Sequence, residues 1–289
     1  MRIAPADPAM APYDVPLYDV LIHLRRTDVL TPAVQLGLAL AQKVAAWTCG
    51  IHVVATAPAA FVSPEADALQ VHEADEMVAT AKARRDWWLA ALAERRLEGE
   101  WTVSQGDTVE VLCHAARWSD LVVVERPQLK PDAPTGWGVV SRTVFASAAP
   151  VVVVPDSVSC TSVATRIVVG WNASREAALA IRGALPLLRK AESVVVLEGE
   201  PVENPFGLRH LPKLDLRAWL KRRGVDADYR EFKPPAKDRA SALLDAARAA
   251  SADMIVMGAW GHSRITELVL GGTTRYLFQT SDLPLLVAH

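Results

Sequence analysis

Ala252-Asp253-Met254-Ile255-Val256-Met257 repeats the pattern of Ser119-Asp120-Leu121-Val122-Val123-Val124, which stands 133 residues earlier. In each, a small residue and an aspartate precede four apolar residues, the composition of a strand buried on both faces. The same offset superposes Ser141-Arg142 and Phe145 on Thr274-Arg275 and Phe278. Small insertions align further pairs: Ala115-Ala116-Arg117 with Ala246-Ala247-Arg248, Pro150-Val151-Val152-Val153 with Pro284-Leu285-Leu286-Val287, and Tyr18-Asp19-Val20-Leu21-Ile22 with Thr165-Arg166-Ile167-Val168-Val169. The chain therefore reads as one unit written twice. Each copy alternates short apolar strands with amphipathic helices, so the expected fold is α/β: two tandem doubly wound domains, each a parallel sheet covered on both faces.

Strands are predicted near 18–24, 50–56, 99–104, 120–125 and 150–154, and again near 165–171, 193–198, 226–232, 253–257 and 284–288. Helices start at Thr31, Ser63 and Asp107, with a shorter one over 139–148, and then near Ser174, Leu214, Asp238 and Thr273. Thr31-Pro32 and Ser63-Pro64 each read as an N-cap followed by proline in the first turn. An apolar helix runs from Ala33 to Trp47, with Leu36, Leu40 and Val44 forming the stripe that packs on a sheet. A long helix from Ser63 to Leu97 has only a shorter counterpart, Leu214 to Arg223. The expected organisation is a tail over 1–16, a first domain over 17–155, a polar linker over 156–164 and a second domain over 165–289. The last strands, Val151–Val154 and Leu285–Val287, are apolar and would leave sheet edges exposed, so the halves are expected to pack on each other through them.

At 289 residues, with 51% hydrophobic and 22% charged content, the composition is that of a globular chain with room for two cores. A net charge of −2 gives no bulk attraction to nucleic acid or an anionic membrane, and neither is expected as a partner. Cys49, Cys113 and Cys160 show no paired or metal-ligand spacing, and their odd number fits a reducing compartment, the cytoplasm. The stretch from Met1 to Pro16 holds four prolines and two aspartates, unlike a signal peptide. No run reaches the ~18 apolar residues of a membrane span.

Directly after the apolar run ending at Met257 come Gly258-Ala259-Trp260-Gly261-His262-Ser263-Arg264 and then Gly271-Gly272-Thr273-Thr274. A strand emptying into a glycine-rich loop that opens a helix suits an anion: glycine allows close backbone approach, and the helix start offers free N–H groups. The loop is not a Walker loop, and Gly136-Trp137-Gly138-Val139-Val140-Ser141 lacks the last glycine of a dinucleotide fingerprint. The same glycines also suit tight strand-to-helix turns. Trp171 and Trp260 read either as lids on a crevice or as packing, and His262 and Arg264 either as phosphate partners or as solvated loop residues.

The spacing Gly, two residues, Gly, nine residues, Gly resembles the nucleotide-binding signature of the universal stress protein family. That signature ends in Gly followed by Ser or Thr, and Gly272 stands in the hydroxyl place. The resemblance implies that the end of the first strand of the second half, Gly170-Trp171-Asn172, lies against adenosine, with Asn172 where family members usually carry Asp. It further implies that Gly199 and Met257 flank adenine, that Gly258, Gly261, Gly271, Gly272 and Thr273 form the phosphate loop, and that Thr274 brings a hydroxyl near the phosphates. The implied cofactor is ATP or another adenine nucleotide, with Mg as its companion ion, and no cofactor is the alternative. The implied assembly is an intramolecular pseudo-dimer of the two domains, to which a second chain can add as a homodimer. Protein partners are unnamed.

In the first half the matching positions are Glu125, Gln128 and Gly138. A carboxylate repels phosphate, and Pro127, Pro131 and Pro134 remove N–H donors, so at most one site per chain is expected, in the second half. His72-Glu73-Ala74-Asp75-Glu76 lacks the second histidine of a zinc-protease helix and reads as a solvated face; no Gly-x-Ser-x-Gly elbow occurs. No catalytic or metal-ligating residue is expected. The function implied is stress-linked sensing through nucleotide occupancy. Its rivals are an interaction module of the same fold that has lost the nucleotide, and a slow ATP hydrolase.

Overall fold

The structure, a computed structural model, describes residues 18–55, 64–126, 138–158, 162–200, 215–259 and 272–289. The tail over 1–16 lies outside them. The first half runs β1 (Asp19–His23), α1 (Pro32–Val44), β2 (Trp47–Ala55), α2 (Pro64–Lys82), α3 (Arg85–Ala93), β3 (Gly99–Gly106), α4 (Thr108–Ala115), β4 (Leu121–Arg126), α5 (Val139–Ala146) and β5 (Val151–Pro155). The second runs β6 (Arg166–Trp171), α6 (Arg175–Leu188), β7 (Ser193–Glu198), α7 (Leu216–Arg222), β8 (Asp228–Glu231), α8 (Arg239–Ala249), β9 (Met254–Gly258), α9 (Gly272–Thr280) and β10 (Leu285–Ala288).

The strands form one sheet in the order β3-β2-β1-β4-β5-β10-β9-β6-β7-β8. Each half thus contributes the same five-strand order, turned about the seam between β5 and β10. All neighbouring strands pair parallel except at that seam, where Val152 faces Leu286 antiparallel. The last strands meet as their apolar composition leads one to expect. Alternation along the strands builds two layers. Val20, Ile22, Val123, Val152, Val169 and Val256 face one core, with α1, α3 and α6. Leu21, Val122, Val151, Val168 and Ile255 face the other, with α4, α8 and α9. Burial on both faces explains why these strands are continuous apolar runs.

Side-chain caps start the helices where the sequence places them. Thr31, Asp107, Ser174 and Asp215 accept from the backbone N–H three residues on, at 3.5, 2.9, 3.1 and 2.8 Å. Two boundaries differ from expectation. The helix expected to run to Trp47 stops at Val44, where Ala45 turns left-handed (φ 55°) and β2 begins at Trp47. The single helix expected from Ser63 to Leu97 is two, α2 and α3, separated at Ala83-Arg84. The break seats the fully buried Trp88 on the sheet, where its indole N–H donates to the Glu100 carbonyl at 2.8 Å.

Polar contacts also cross the seam. The Tyr18 hydroxyl donates to the Gly183 carbonyl at 2.7 Å, and a Cβ on Gly183 would lie 2.3 Å from Pro150 Cγ, so only glycine lets α6 approach the first half this closely. The Arg126 guanidinium reaches the carbonyls of Leu277, Phe278 and Ser281 at 3.3, 2.8 and 2.7 Å, placing a cation at the C-terminal end of α9. Lys43 Nζ donates to the carbonyls of Val163 and Ala164 at 3.1 and 2.7 Å. The expected linker therefore ends in a held, buried residue, Ala164, and not in solvent. Among the described residues no helix is long and apolar enough to cross a membrane.

Candidate functional site

In the second half the chain order reverses between β6 and β9, which pair through Val169 and Val256. Crevices beyond the carboxyl ends of strands at such a point are where open α/β sheets bind ligands. A cavity of about 480 Å³ opens there. Three backbone bonds hold its rim in line: Gly199 N donates to the Trp171 carbonyl, Phe232 N to the Glu198 carbonyl and Ala259 N to the Ala288 carbonyl, each at 2.8 Å.

Gly170, Trp171, Asn172, Gly199, Met257, Gly258, Gly272, Thr273 and Thr274 all line this cavity. Gly261 and Gly271, with Trp260, His262 and Arg264, lie outside the described residues. Gly170 carries no side chain into the cavity, and a Cβ there would make only ordinary contacts, with Met257 Cβ at 3.6 Å and with Leu243 Cδ2 and the Val256 carbonyl at 3.9 Å, so packing does not require the glycine. Met257, Leu197 and Leu243 are buried apolar wall. Trp171 is half-buried and packs against the core on the α6 face while also lining the cavity, which joins the two readings it had in the sequence. Thr273 is half-buried and Thr274 buried at the start of α9.

Two residues behave otherwise than expected. Asn172 Oδ1 accepts from Ser174 N at 3.2 Å, so its side-chain oxygen is engaged in its own turn, next to the left-handed Ala173 (φ 57°) and the cap of α6. Gly258 is required by packing. A Cβ there would lie 2.5 Å from Ala177 N and 2.8 Å from Glu176 C, because the short connection Asn172–Ser174 brings the first turn of α6 against the end of β9. Gly258 does not adopt positive φ, so conformational freedom is not what requires glycine there.

The wall that sequence reading missed is the connection between β8 and α8 together with the first residue of α8. Phe232, Lys233, Lys237 and Arg239 line the cavity, with Glu200 opposite in sign. Lys233 forms an ion pair with Glu231, whereas Lys237 and Arg239 have no hydrogen-bond or ion-pair partner among the described residues. The signal was present as Lys233-Pro234-Pro235-Ala236-Lys237-Asp238-Arg239, a basic run directly after a predicted strand. Behind the rim, Glu198 accepts from Arg217 at 2.6 Å, and that guanidinium lies 4.1 Å over the Tyr229 ring.

The corresponding end of the first half is built differently. Arg25 Nη1 lies 3.2 Å from Glu125 Oε1, so the carboxylate expected to repel a phosphate is already paired. His23 is buried and its pKa is lowered to about 4, by burial first and then by the neighbouring charges of His52 and Arg25. Pro127, Gln128, Pro131 and Pro134 lie outside the described residues. His72 pairs with Glu76 at 3.4 Å on an exposed face of α2, the solvated face expected there. Among the described residues no three His, Cys, Asp or Glu side chains converge as metal ligands.

Residues 231–289, which span the end of β8 to β10, match the universal stress protein family model. The whole chain is similar in fold to a universal stress protein from Archaeoglobus fulgidus DSM 4304, at 15% identity, covering 93% of this chain and 97% of that one, with a TM-score of 0.62. It is likewise similar to a putative universal stress protein from Pseudomonas aeruginosa UCBPP-PA14, at 14% identity over 94% and 92% of the two chains, with a TM-score of 0.55. No curated protein matches the sequence. The sequence of residues 231–289 is thus similar to the universal stress protein family, and the chain as a whole has the fold of universal stress proteins, with its two halves in tandem.

Proposed function

We propose that the second half binds an adenine nucleotide in this cavity and that occupancy makes the protein a nucleotide-responsive regulator in a stress response. One observation carries the reading: every residue that the family resemblance assigns to the nucleotide, and that lies among the described residues, lines the same cavity. The residues fit the group. Apolar Leu197, Leu243 and Met257 suit a base, the N-terminus of α9 suits phosphate, and about 480 Å³ lies within the range of small-molecule sites, roughly 300–1,000 Å³. The reading takes 17–155 and 165–289 as the domains, the cytoplasm as the compartment, ATP with Mg as the leading ligand, and a homodimer as a further assembly.

Asn172 favours the second reading, an interaction module of the same fold. Its carboxamide oxygen is held by Ser174 N, and Gly272 brings no hydroxyl. Calorimetry with ATP, paired with mass spectrometry of small molecules released from the denatured protein, separates the two. The regulator binds ATP, and Gly170→His, which puts the first half's imidazole into the cavity, abolishes binding while leaving the fold intact. A parent protein that releases no nucleotide and gives no heat at millimolar ATP is the interaction module. Phosphate release above that of Gly170→His would instead make it a slow hydrolase.

A further inference from the structure

We infer that Lys237, on the connection between β8 and α8, and Arg239, the first residue of α8, read the charge of the ligand, so that the cavity selects nucleotides by the number of their phosphates. The inference rests on the nucleotide reading of the cavity and adds to it residues that the glycine-loop resemblance does not contain.

Four charged side chains from this region line the cavity: Lys233, Lys237, Arg239 and Glu200. Lys233 is committed to Glu231 and also feels the charge of Glu200. Lys237 is exposed, Arg239 is half-buried, and neither side chain has a partner among the described residues. A cationic side chain without a protein partner, on a residue that lines a cavity, is available to an anion that the protein itself does not provide. The start of α9, with Gly272, Thr273 and Thr274 on the same cavity, adds partial positive charge. The first half lacks this wall: β3 passes into α4 through Asp107 alone, and Asp107 caps α4 and lies 3.5 Å from Arg142. The longer second-half connection, Phe232 to Asp238, is what brings the two free cations to the rim.

The selectivity follows from counting charge. Adenosine gives Lys237 and Arg239 nothing to bind, AMP one phosphate and ATP a chain of three. Affinity should therefore rise from adenosine through AMP to ATP, and the ATP value should fall with added salt.

The experiment is calorimetry of adenosine, AMP and ATP on the full chain and on Lys237→Gln/Arg239→Gln, at low and high salt. The double variant should lose about tenfold or more in ATP affinity, the effect of a lost charge-assisted contact, and should bind adenosine within about twofold of the parent. Its residual ATP binding should be nearly independent of salt. A double variant that binds ATP like the parent overturns the inference and leaves the nucleotide site standing. A parent that binds none of the three overturns both. If Arg239→Gln disturbs the fold, Lys237→Gln alone, at an exposed position, must still flatten the salt dependence; failure to do so counts against the inference.

Discussion

The two halves share a strand order and part company at the same three positions. Ile22 pairs with Val123 in the first half as Val169 pairs with Val256 in the second, so His23 answers Gly170, Arg25 answers Asn172 and Glu125 answers Gly258. In the first half those positions hold a buried imidazole and an ion pair at 3.2 Å. In the second they hold two glycines and an asparagine folded onto its own turn, and a cavity opens. The connections explain part of this. The first half takes Leu24 to Thr31 to reach α1 and carries a side chain at Glu125; the second takes only Asn172 to Ser174, and α6 crowds Gly258. A shared topology therefore leaves each half free to open or close its crevice through a few side-chain volumes and charges.

The largest effect expected from this comparison is at the crowded position. Gly258→Ala sets a methyl 2.5 Å from a backbone nitrogen of α6, which cannot move without displacing the first turn of that helix. Urea denaturation should show a loss of about 2–3 kcal/mol, within the range for overpacking. Glu125→Ala, at the equivalent first-half position, should cost under about 1 kcal/mol. A Gly258→Ala protein as stable as the parent would mean that ligand approach, and not packing, requires the glycine.

That glycine also marks the limit of what could be read in the sequence. The strands were legible because runs such as Val151–Val154, buried on both faces, have no other stable home, and the repeat supplied the order. The contact that demands Gly258 comes from α6, far away in sequence, and no local pattern reports it. The end of α1 was hidden because Ala45 takes a left-handed conformation that sequence reading assigns to glycine. The division of α2 from α3 depends on where Trp88 seats against the sheet, again a tertiary contact. At the site, the glycines and the strand ends were legible by resemblance. The basic wall was not, since Lys237 and Arg239 differ from solvated surface residues only by the cavity they line.

A smaller effect tests the first half. His23 has a pKa of about 4 in the folded protein against 6.5 as its ordinary value. Between these values the unfolded chain binds more protons than the folded one, so stability is lost as pH falls from about 6.5 towards 4. By pH 5 the loss from this group is about 2 kcal/mol. His52 and Arg25 are the charges that bear on His23, and Glu125 sits beside Arg25. Replacing the imidazole in His23→Gln should shrink the difference in urea midpoint between pH 7 and pH 5 by that amount while leaving other titrations in place. An unchanged difference would show that His23 is not kept neutral, and that the first-half crevice is wetter than its burial implies.

The smallest effect concerns Arg25 and Glu125 themselves. Arg25 is 46% exposed in its side chain and Glu125 only 12%, so the pair lies between a surface bridge and a buried one. Solvent at Arg25 screens the attraction, and holding the arginine in place costs side-chain entropy, so a double-mutant cycle with Arg25→Asn and Glu125→Gln should give a coupling of about 0.5 kcal/mol. High salt should reduce it further. A coupling above about 2 kcal/mol would instead make the bridge a structural tie between the segment after β1 and the end of β4. Then the same two substitutions, which remove both charges and give position 25 the asparagine of the second half, should raise proteolytic susceptibility around β1 and β4. With the weaker coupling, the buried imidazole of His23 is the main difference from Gly170 in the second half, and the bridge matters mainly because it cancels the charge of Glu125.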